Sequence, residues 1–392
     1  MKGRTLLRWT LAALLVVLLL IFTAKGFEQA RDQSRLRHAS EAPPLPIPAL
    51  ENLIDDPTAG YTEHYVVAPG TFPMSHGSSL AELPDGSLLC AWYSGTREAY
   101  ADVNIYCSRF DPAQKTWSAP KAATRYGERA EWSLFKTRTV GNASLYVDDE
   151  GIVWMFYAAV QHGGWSGARV DYKTSRDSGK TWSRPKTLIH EWSNLPRSKP
   201  VRLERNRFAL PLYHNYGQKH AYTCTLTVAG GAITSKSFEP ISGEMHTQAA
   251  IVRHDENELF AYMRDPTKKS LMFSRFDVAQ KKWSTAERLQ LPNPNSAVEA
   301  ERTPDGKILL VYNDSPRLRV PLSLAYSDDG RDFRKIADIE VETRGTYFSY
   351  PAMIRASDGT YHLTYSDRIR RTIKHVQFSQ AWLDAKIAAS AQ

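Results

Sequence analysis

The sequence predicts an all-β fold, a six-bladed β-propeller preceded by an N-terminal transmembrane or signal helix. Three observations predict the propeller. A strand–turn–strand unit recurs six times between His76 and Ser366. Taking Trp92, Tyr157, Tyr213, Met263, Tyr312 and Tyr365 as equivalent, the steps are 65, 56, 50, 49 and 53 residues, the length of a four-stranded blade with its loops. A polar turn closed by an aromatic residue recurs four times, while helical periodicity is weak and turn signals fall at strand-like intervals.

Size and composition set the limits. With 392 residues and 42% hydrophobic content, the chain is long enough for one large core or two ordinary ones. Fifty Lys and Arg against 42 Asp and Glu give a formal charge of +8, which favours anionic partners in a general way. No basic block is dense enough for nucleic acid, and no nucleic-acid partner is expected. Cys90, Cys107 and Cys224 are too few and scattered for a disulfide framework or a zinc site, and buried free thiols are expected. No metal-ligand spacing, phosphate loop or Gly-x-Ser-x-Gly elbow is present, so neither metal nor cofactor is expected.

Trp9 to Ala24 carries no charge and follows Lys2, Arg4 and Arg8. This predicts a membrane anchor or signal segment over 1–25, with a single-pass protein holding its body outside the cytoplasm, or a secreted one if the segment is cleaved. Residues 26–61 read as a tether ending in a Pro-rich linker, 62–380 as the propeller and 381–392 as a C-terminal tail.

The six copies are His76–Tyr93, Asn142–Ala158, Ser198–His214, His246–Arg264, Asn295–Asn313 and Ser349–Ser366. Each has a turn at its centre, such as Asp85-Gly86 or Asp358-Gly359. Between the predicted third and fourth strands comes the stretch Ser175-Arg176-Asp177-Ser178-Gly179-Lys180-Thr181-Trp182, with incomplete relatives from Ser108 to Trp117, Ser274 to Trp283 and Ser327 to Phe333. Ser and Asp side chains accept backbone N–H groups there, Gly permits positive φ, and the indole plugs the gap between strands. Blade three has Gly230-Gly231 instead, and the closing strand of blade six is expected from the segment before His76.

In such a ring the inner strands converge on one face of a channel. The polar residues that open the copies or close their second strands are His76, Asn142, Lys199, His214, His246, Gln248, Arg264, Asn313 and Tyr350. Neighbouring loops add Arg97, Glu98, Asp102, Arg317 and Arg319. Singly each has an ordinary structural explanation; as a set they point to a site.

The combination resembles the sialidase (neuraminidase) superfamily, six-bladed propellers with Asp boxes, over about Thr71 to Phe378, and in particular its divergent bacterial branch. The Ser175–Trp182 turn fits the Asp-box pattern completely. The resemblance implies an exo-α-sialidase-like glycoside hydrolase acting on an anionic or acetylated glycan. Of the three arginines that hold the substrate carboxylate in that superfamily, Arg264 in Ala261-Tyr262-Met263-Arg264 matches the second and Arg319 the third. His76 stands in the place of the first. Tyr350 in Ser349-Tyr350-Pro351 matches the nucleophilic tyrosine. His246 in Met245-His246-Thr247-Gln248 takes the place of the glutamate that serves as its base, and Glu98, then Asp102, stand nearest the acid/base position. Asn142, Gln248 and Asn313 complete the expected binding set. These departures leave the sugar open. Two other readings compete with hydrolysis: a non-catalytic glycan-binding propeller, and a uronate polysaccharide lyase using His and Tyr.

Overall fold

The computed structural model of the chain describes residues 13–17, 53–56, 58–131, 133, 136–341 and 347–390. Six antiparallel sheets follow one another in a ring, five of them built from successive strands. Blade one runs through Met74–Glu82, Leu88–Gly95, Asn104–Asp111 and Thr116–Trp117; blade two through Thr139–Val147, Val153–Val160, Ala168–Ser175 and Lys186–Ile189. Blade three has Arg207–His214, His220–Ala229 and Ala232–Pro240, with an inner strand split into Asn194–Pro196 and Val201–Glu204. Blades four, five and six open with Thr247–Arg253, Glu299–Arg302 and Ser349–Arg355.

The ring is closed by the segment before His76. Tyr61–Val67 pairs antiparallel with Thr372–Phe378, so the outer part of blade six comes from the start of the propeller. Second strands are buried on both faces because blades sandwich them: Val153–Val160 is buried along its whole length. The apolar side chains gather between neighbouring blades. Leu89 and Tyr93 of blade one meet Met155 and Tyr157 of blade two, and Tyr262 and Phe273 of blade four meet Leu310 and Tyr312 of blade five.

The Asp-box turn does what its residues dictate. Asp177 accepts from the Thr181 backbone (2.8 Å) and hydroxyl (2.6 Å), while Ser175 Oγ accepts from the Gly179 N–H at 2.9 Å. Gly179 has φ +80°, and a Cβ there would come within 2.8 Å of Leu89. Burial works against the Asp177 carboxylate, but these donors outweigh it and hold its pKa down at about 2.

Four blades share one irregularity that decides where the chemistry goes. In each inner strand two residues oppose a single partner: Gly77 and Ser78 face Trp92, and Asn142 and Ala143 face Tyr157. Likewise Gln248 and Ala249 face Met263, and Tyr350 and Pro351 face Tyr365. The first residue of each pair has positive φ, +67°, +50°, +53° and +57°. This is a β-bulge with its first residue in the left-handed region, which re-aims that side chain out of the strand's alternation.

The single-pass localisation is not sustained. Among the described residues no helix is long and apolar enough to cross a membrane. Of the run Trp9–Ala24, only residues 13–17 are described, as helix; the rest of the expected anchor, and most of the tether, lies outside the described residues. At the other end, the segment read as a tail contains the helix Gln380–Ala389. Ser379 caps it, and Leu383 and Trp382 pack against the core of blades five and six. The three cysteines are free and buried.

Candidate active site

The bulges of blades two, four and six open into one cavity of about 350 Å³, where Asn142, Gln248 and Tyr350 meet. Its centre is Tyr350. Gln248 donates to the phenol oxygen through Nε2 at 3.3 Å, and Arg264 donates through NH1 at 3.3 Å. Burial raises a phenol's pKa, but the Arg264 and Arg319 guanidiniums reverse that effect and bring Tyr350 below its ordinary value. Of the other site tyrosines, Tyr93 and Tyr213 are both pushed up by burial.

Arg264 is fixed from two sides, donating to Gln248 Oε1 at 2.9 Å and to Asn295 Oδ1. The backbone carbonyl of Asn295 accepts from Arg319 at 2.9 Å, so one residue with φ +59° orients both arginines. Tyr213, from the second strand of blade three, takes hydrogen bonds from Asn142 (3.1 Å) and Gln248 (3.2 Å). Glu98 faces this group across the cavity. Its carboxylate accepts from Trp165 Nε1 at 3.1 Å and Tyr93 at 3.3 Å, and pairs with Arg370.

Thus Tyr350, Glu98, Arg264, Arg319, Asn142 and Gln248 all line the cavity, and four other expected residues do not. His246 is buried and points into blade three, where Nδ1 accepts from the Ala221 N–H at 2.9 Å; burial lowers its pKa to about 4. The bulge explains this difference: the residue aimed at Tyr350 is the one with positive φ, Gln248, two places further on. His76 likewise precedes the bulge residue Gly77. It is fully buried, bonds Ser366 Oγ at 2.7 Å through Nδ1, and packs edge-on against Tyr350 at 4.5 Å. Burial and the surrounding arginines push its pKa well below the ordinary value, so it carries no positive charge at neutral pH. Asp102 accepts from the Thr96 N–H at 2.8 Å and closes the loop that carries Glu98. Asn313 donates to the Pro321 and Phe348 carbonyls, both at 3.2 Å, and ties down the loop that carries Arg319.

Sequence reasoning did not assign Tyr213, Asn295, Trp165, Arg197 or Arg370 to the site. Arg197 lies beneath Tyr350, its guanidinium 4.7 Å from the ring centroid and donating at 2.8 Å to the Pro351 carbonyl. Its neighbour Lys199 reaches from blade three to the Ala300 (3.0 Å) and Met353 (2.6 Å) carbonyls and pairs with Glu301. Next to them Glu299 is fully buried, and burial raises its pKa to about 7 although Lys199 and Arg197 oppose the shift. The signal for Arg197 was its setting: Leu195-Pro196-Arg197-Ser198-Lys199-Pro200 puts two cations between prolines, in the break between the two pieces of blade three's inner strand. For metals, the cavity offers one carboxylate and no histidine. Among the described residues, a group of His254, Asp255 and Glu258 has ligand atoms within 4.8 Å of one another. It lies on the hairpin at the far end of the blade-four strands, where Asp255 accepts from the turn's own N–H groups at 2.7 and 2.8 Å.

Comparison with known proteins agrees with this architecture. Residues 86–363 match the family described as a BNR repeat-like domain. No curated protein matches the sequence. Among solved structures, the chain is similar to a Hadza microbial sialidase at 16% identity and TM-score 0.66, over 81% of this chain and 68% of that one. It is similar to the NanB sialidase of Streptococcus pneumoniae at 12% and 0.65, over 79% and 68%, and to the intramolecular trans-sialidase of Ruminococcus gnavus at 13% and 0.63, over 82% and 97%. A protein of unknown function from Dyadobacter fermentans is similar at 13% and 0.64, over 82% and 99%. At these identities the likeness is one of fold.

Proposed function

The chain belongs to the BNR repeat-like family, with the sialidase fold, and on that premise we propose that it is a glycoside hydrolase for a sugar bearing a carboxylate. The observation that carries this reading is Tyr350. Its phenol lies deep in a cavity, yet Arg264 and Arg319 lower its pKa against the pull of burial. In the proposed reaction Tyr350 loses its proton to solvent and its oxygen attacks the anomeric carbon. The glycosidic bond breaks as Glu98 delivers a proton to the leaving oxygen, and water then releases the sugar from the tyrosine. Arg264 and Arg319 hold the sugar's carboxylate.

A second reading, a glycan-binding propeller without turnover, is favoured by one observation. The two blade-four side chains that bond the Tyr350 hydroxyl, the Gln248 amide and the Arg264 guanidinium, both donate to it, and neither is a base that can take its proton. The lyase reading loses support, because His76 and His246 do not line the cavity.

The test is turnover on an aryl sialoside beside neutral aryl glycosides and uronate polymers. Release of the aryl group from an acidic glycoside, lost in Tyr350→Phe, is the expected result. A folded protein that retains acidic sugars but converts none of them would replace this reading with the binding one, and an unsaturated product absorbing in the ultraviolet would replace it with elimination.

A further inference from the structure

A β-bulge disrupts the ladder locally, and a buried carbonyl there needs a donor from elsewhere. For the bulges of blades one and six a single side chain of blade three supplies it. Arg197 stands in the break between Asn194–Pro196 and Val201–Glu204, and its guanidinium reaches across the ring. It donates through NH2 to the Pro351 carbonyl at 2.8 Å and through NH1 to the Ser78 carbonyl at 3.4 Å. Pro351 is the second residue of the bulge that carries Tyr350, and Ser78 the second residue of the bulge that opens with Gly77.

The same guanidinium lies 4.7 Å from the centroid of the Tyr350 ring. It is 2% exposed and does not line the cavity, so no substrate reaches it. Burial lowers the Arg197 pKa, opposed by the charges of Glu299 and Tyr350. A neutral donor would satisfy two carbonyls at lower cost than a buried cation, so the charge needs a further reason. The ring above it is that reason: a cation beneath an aromatic face is attracted to the ring, and more strongly once the phenol has lost its proton.

Other groups act on Tyr350 from the cavity side. Arg264 of blade four and Arg319 of the blade-five loop favour its ionised form, and Glu98 of blade one opposes it. Arg370 of blade six is also coupled to it, while His76 is neutral and burial keeps Tyr93 and Tyr213 protonated. Building on the hydrolase reading above, we infer that Arg197 is a positioning residue for the nucleophile: it locks the bulge that aims Tyr350 and keeps a positive charge beneath the face of its ring. A sugar carboxylate held by Arg264 and Arg319 offsets their effect on the phenol. Arg197 acts from below, where nothing in the cavity can displace it.

The experiment follows the Tyr350 hydroxyl directly, by carbon NMR titration of protein labelled at the tyrosine Cζ, the signal being the one missing from Tyr350→Phe. Arg197→Met keeps the bulk of the side chain and removes its charge and donors; it should weaken Tyr350 ionisation by about tenfold, and Arg197→Lys should recover most of that loss. On a glycoside that wild type cleaves, Arg197→Met should lower kcat by about tenfold to a hundredfold with KM nearly unchanged. Glu299→Gln leaves both hydrogen bonds of Arg197 in place and removes its counter-charge, so Tyr350 should ionise about threefold more readily. Thermal melts show which variants fold. A Tyr350 titration that coincides with wild type in Arg197→Met, or in Glu299→Gln should Arg197→Met not fold, would overturn the inference and leave the hydrolase reading standing. A loss that Arg197→Lys shares in full would overturn it too, because bulk rather than charge would then matter. Wild-type protein that cleaves no glycoside would overturn the hydrolase reading, and the titration would still decide whether Arg197 acts on Tyr350.

Discussion

The bulges of blades one and six are the same piece of backbone with opposite contents. Both place two residues against one, after His76 and after Ser349, and both hold the first in the left-handed region, at φ +67° and +57°. In blade six that residue is Tyr350, whose phenol reaches the centre of the cavity. In blade one it is Gly77, and the space where its side chain would go is filled by the Tyr93 ring. The propeller thus offers the same re-aimed position in several blades, and the residue type decides whether it carries chemistry or is closed off. Keeping Tyr in such a conformation costs about 1–2 kcal/mol, an expense that suits a functional position better than an idle one.

The sharpest way to break the comparison is to remove the chemistry from one bulge and keep its shape. Tyr350→Phe retains the ring packed between His76 and Arg197 and should lower kcat by about a thousandfold or more, read on whichever glycoside the wild type cleaves, with its melting temperature little changed. A rate within tenfold of wild type would remove Tyr350 from the role of nucleophile. The bulge of blade four gives the next effect. Gln248→Glu puts a base 3.3 Å from the phenol oxygen and should raise kcat by about tenfold to a hundredfold, with a new acidic limb in the pH–rate profile as the carboxylate protonates. An unchanged profile would mean that loss of the tyrosine proton does not limit the rate.

Gly77→Ala tests the closed bulge. The positive φ and the 2.8 Å approach to Tyr93 predict a loss of about 1–2 kcal/mol in stability, measured by denaturant midpoint. If the variant is as stable as wild type, Tyr93 yields easily and blade one is not sealed. The last effect, read only as a change with pH, concerns the floor beneath Tyr350. Glu299 has a folded-state pKa raised to about 7 by burial, so ionising it works against the fold. Its unfavourable contribution is absent below the ordinary carboxylate value, about 4.3, grows as pH rises to about 7, and is constant above that. Glu299→Gln should flatten the stability profile between those limits; an identical slope in the variant would mean that Glu299 stays ionised beside Arg197 and Lys199.

The sequence by itself determined the number of blades, their order, the Asp-box turns and the closure of the ring. Those features rest on short-range chemistry: a Gly that must take positive φ, a Ser and an Asp that cap nearby N–H groups, an apolar run too short for a helix. It also grouped Tyr350, Arg264, Asn142 and Gln248 by their places in the repeats, and Glu98 and Arg319 by the loops beside them, within a larger set that included His76, His246, Asp102 and Asn313. Only the tertiary structure decided which neighbour in a motif faces the cavity. A two-residue bulge shifts that choice from His246 to Gln248 and from His76 to Gly77, and its position shows only in the pairing with the next strand. The tertiary structure also brought in Arg370 and Arg197, which start from blades six and three and reach their places through contacts with other blades. Side-chain direction in a bulged strand depends on its register with the next strand. Charge contributed across the ring depends on contacts far along the chain, such as Arg370 with Glu98 and Arg197 with Pro351. The hydrophobic pattern encodes neither.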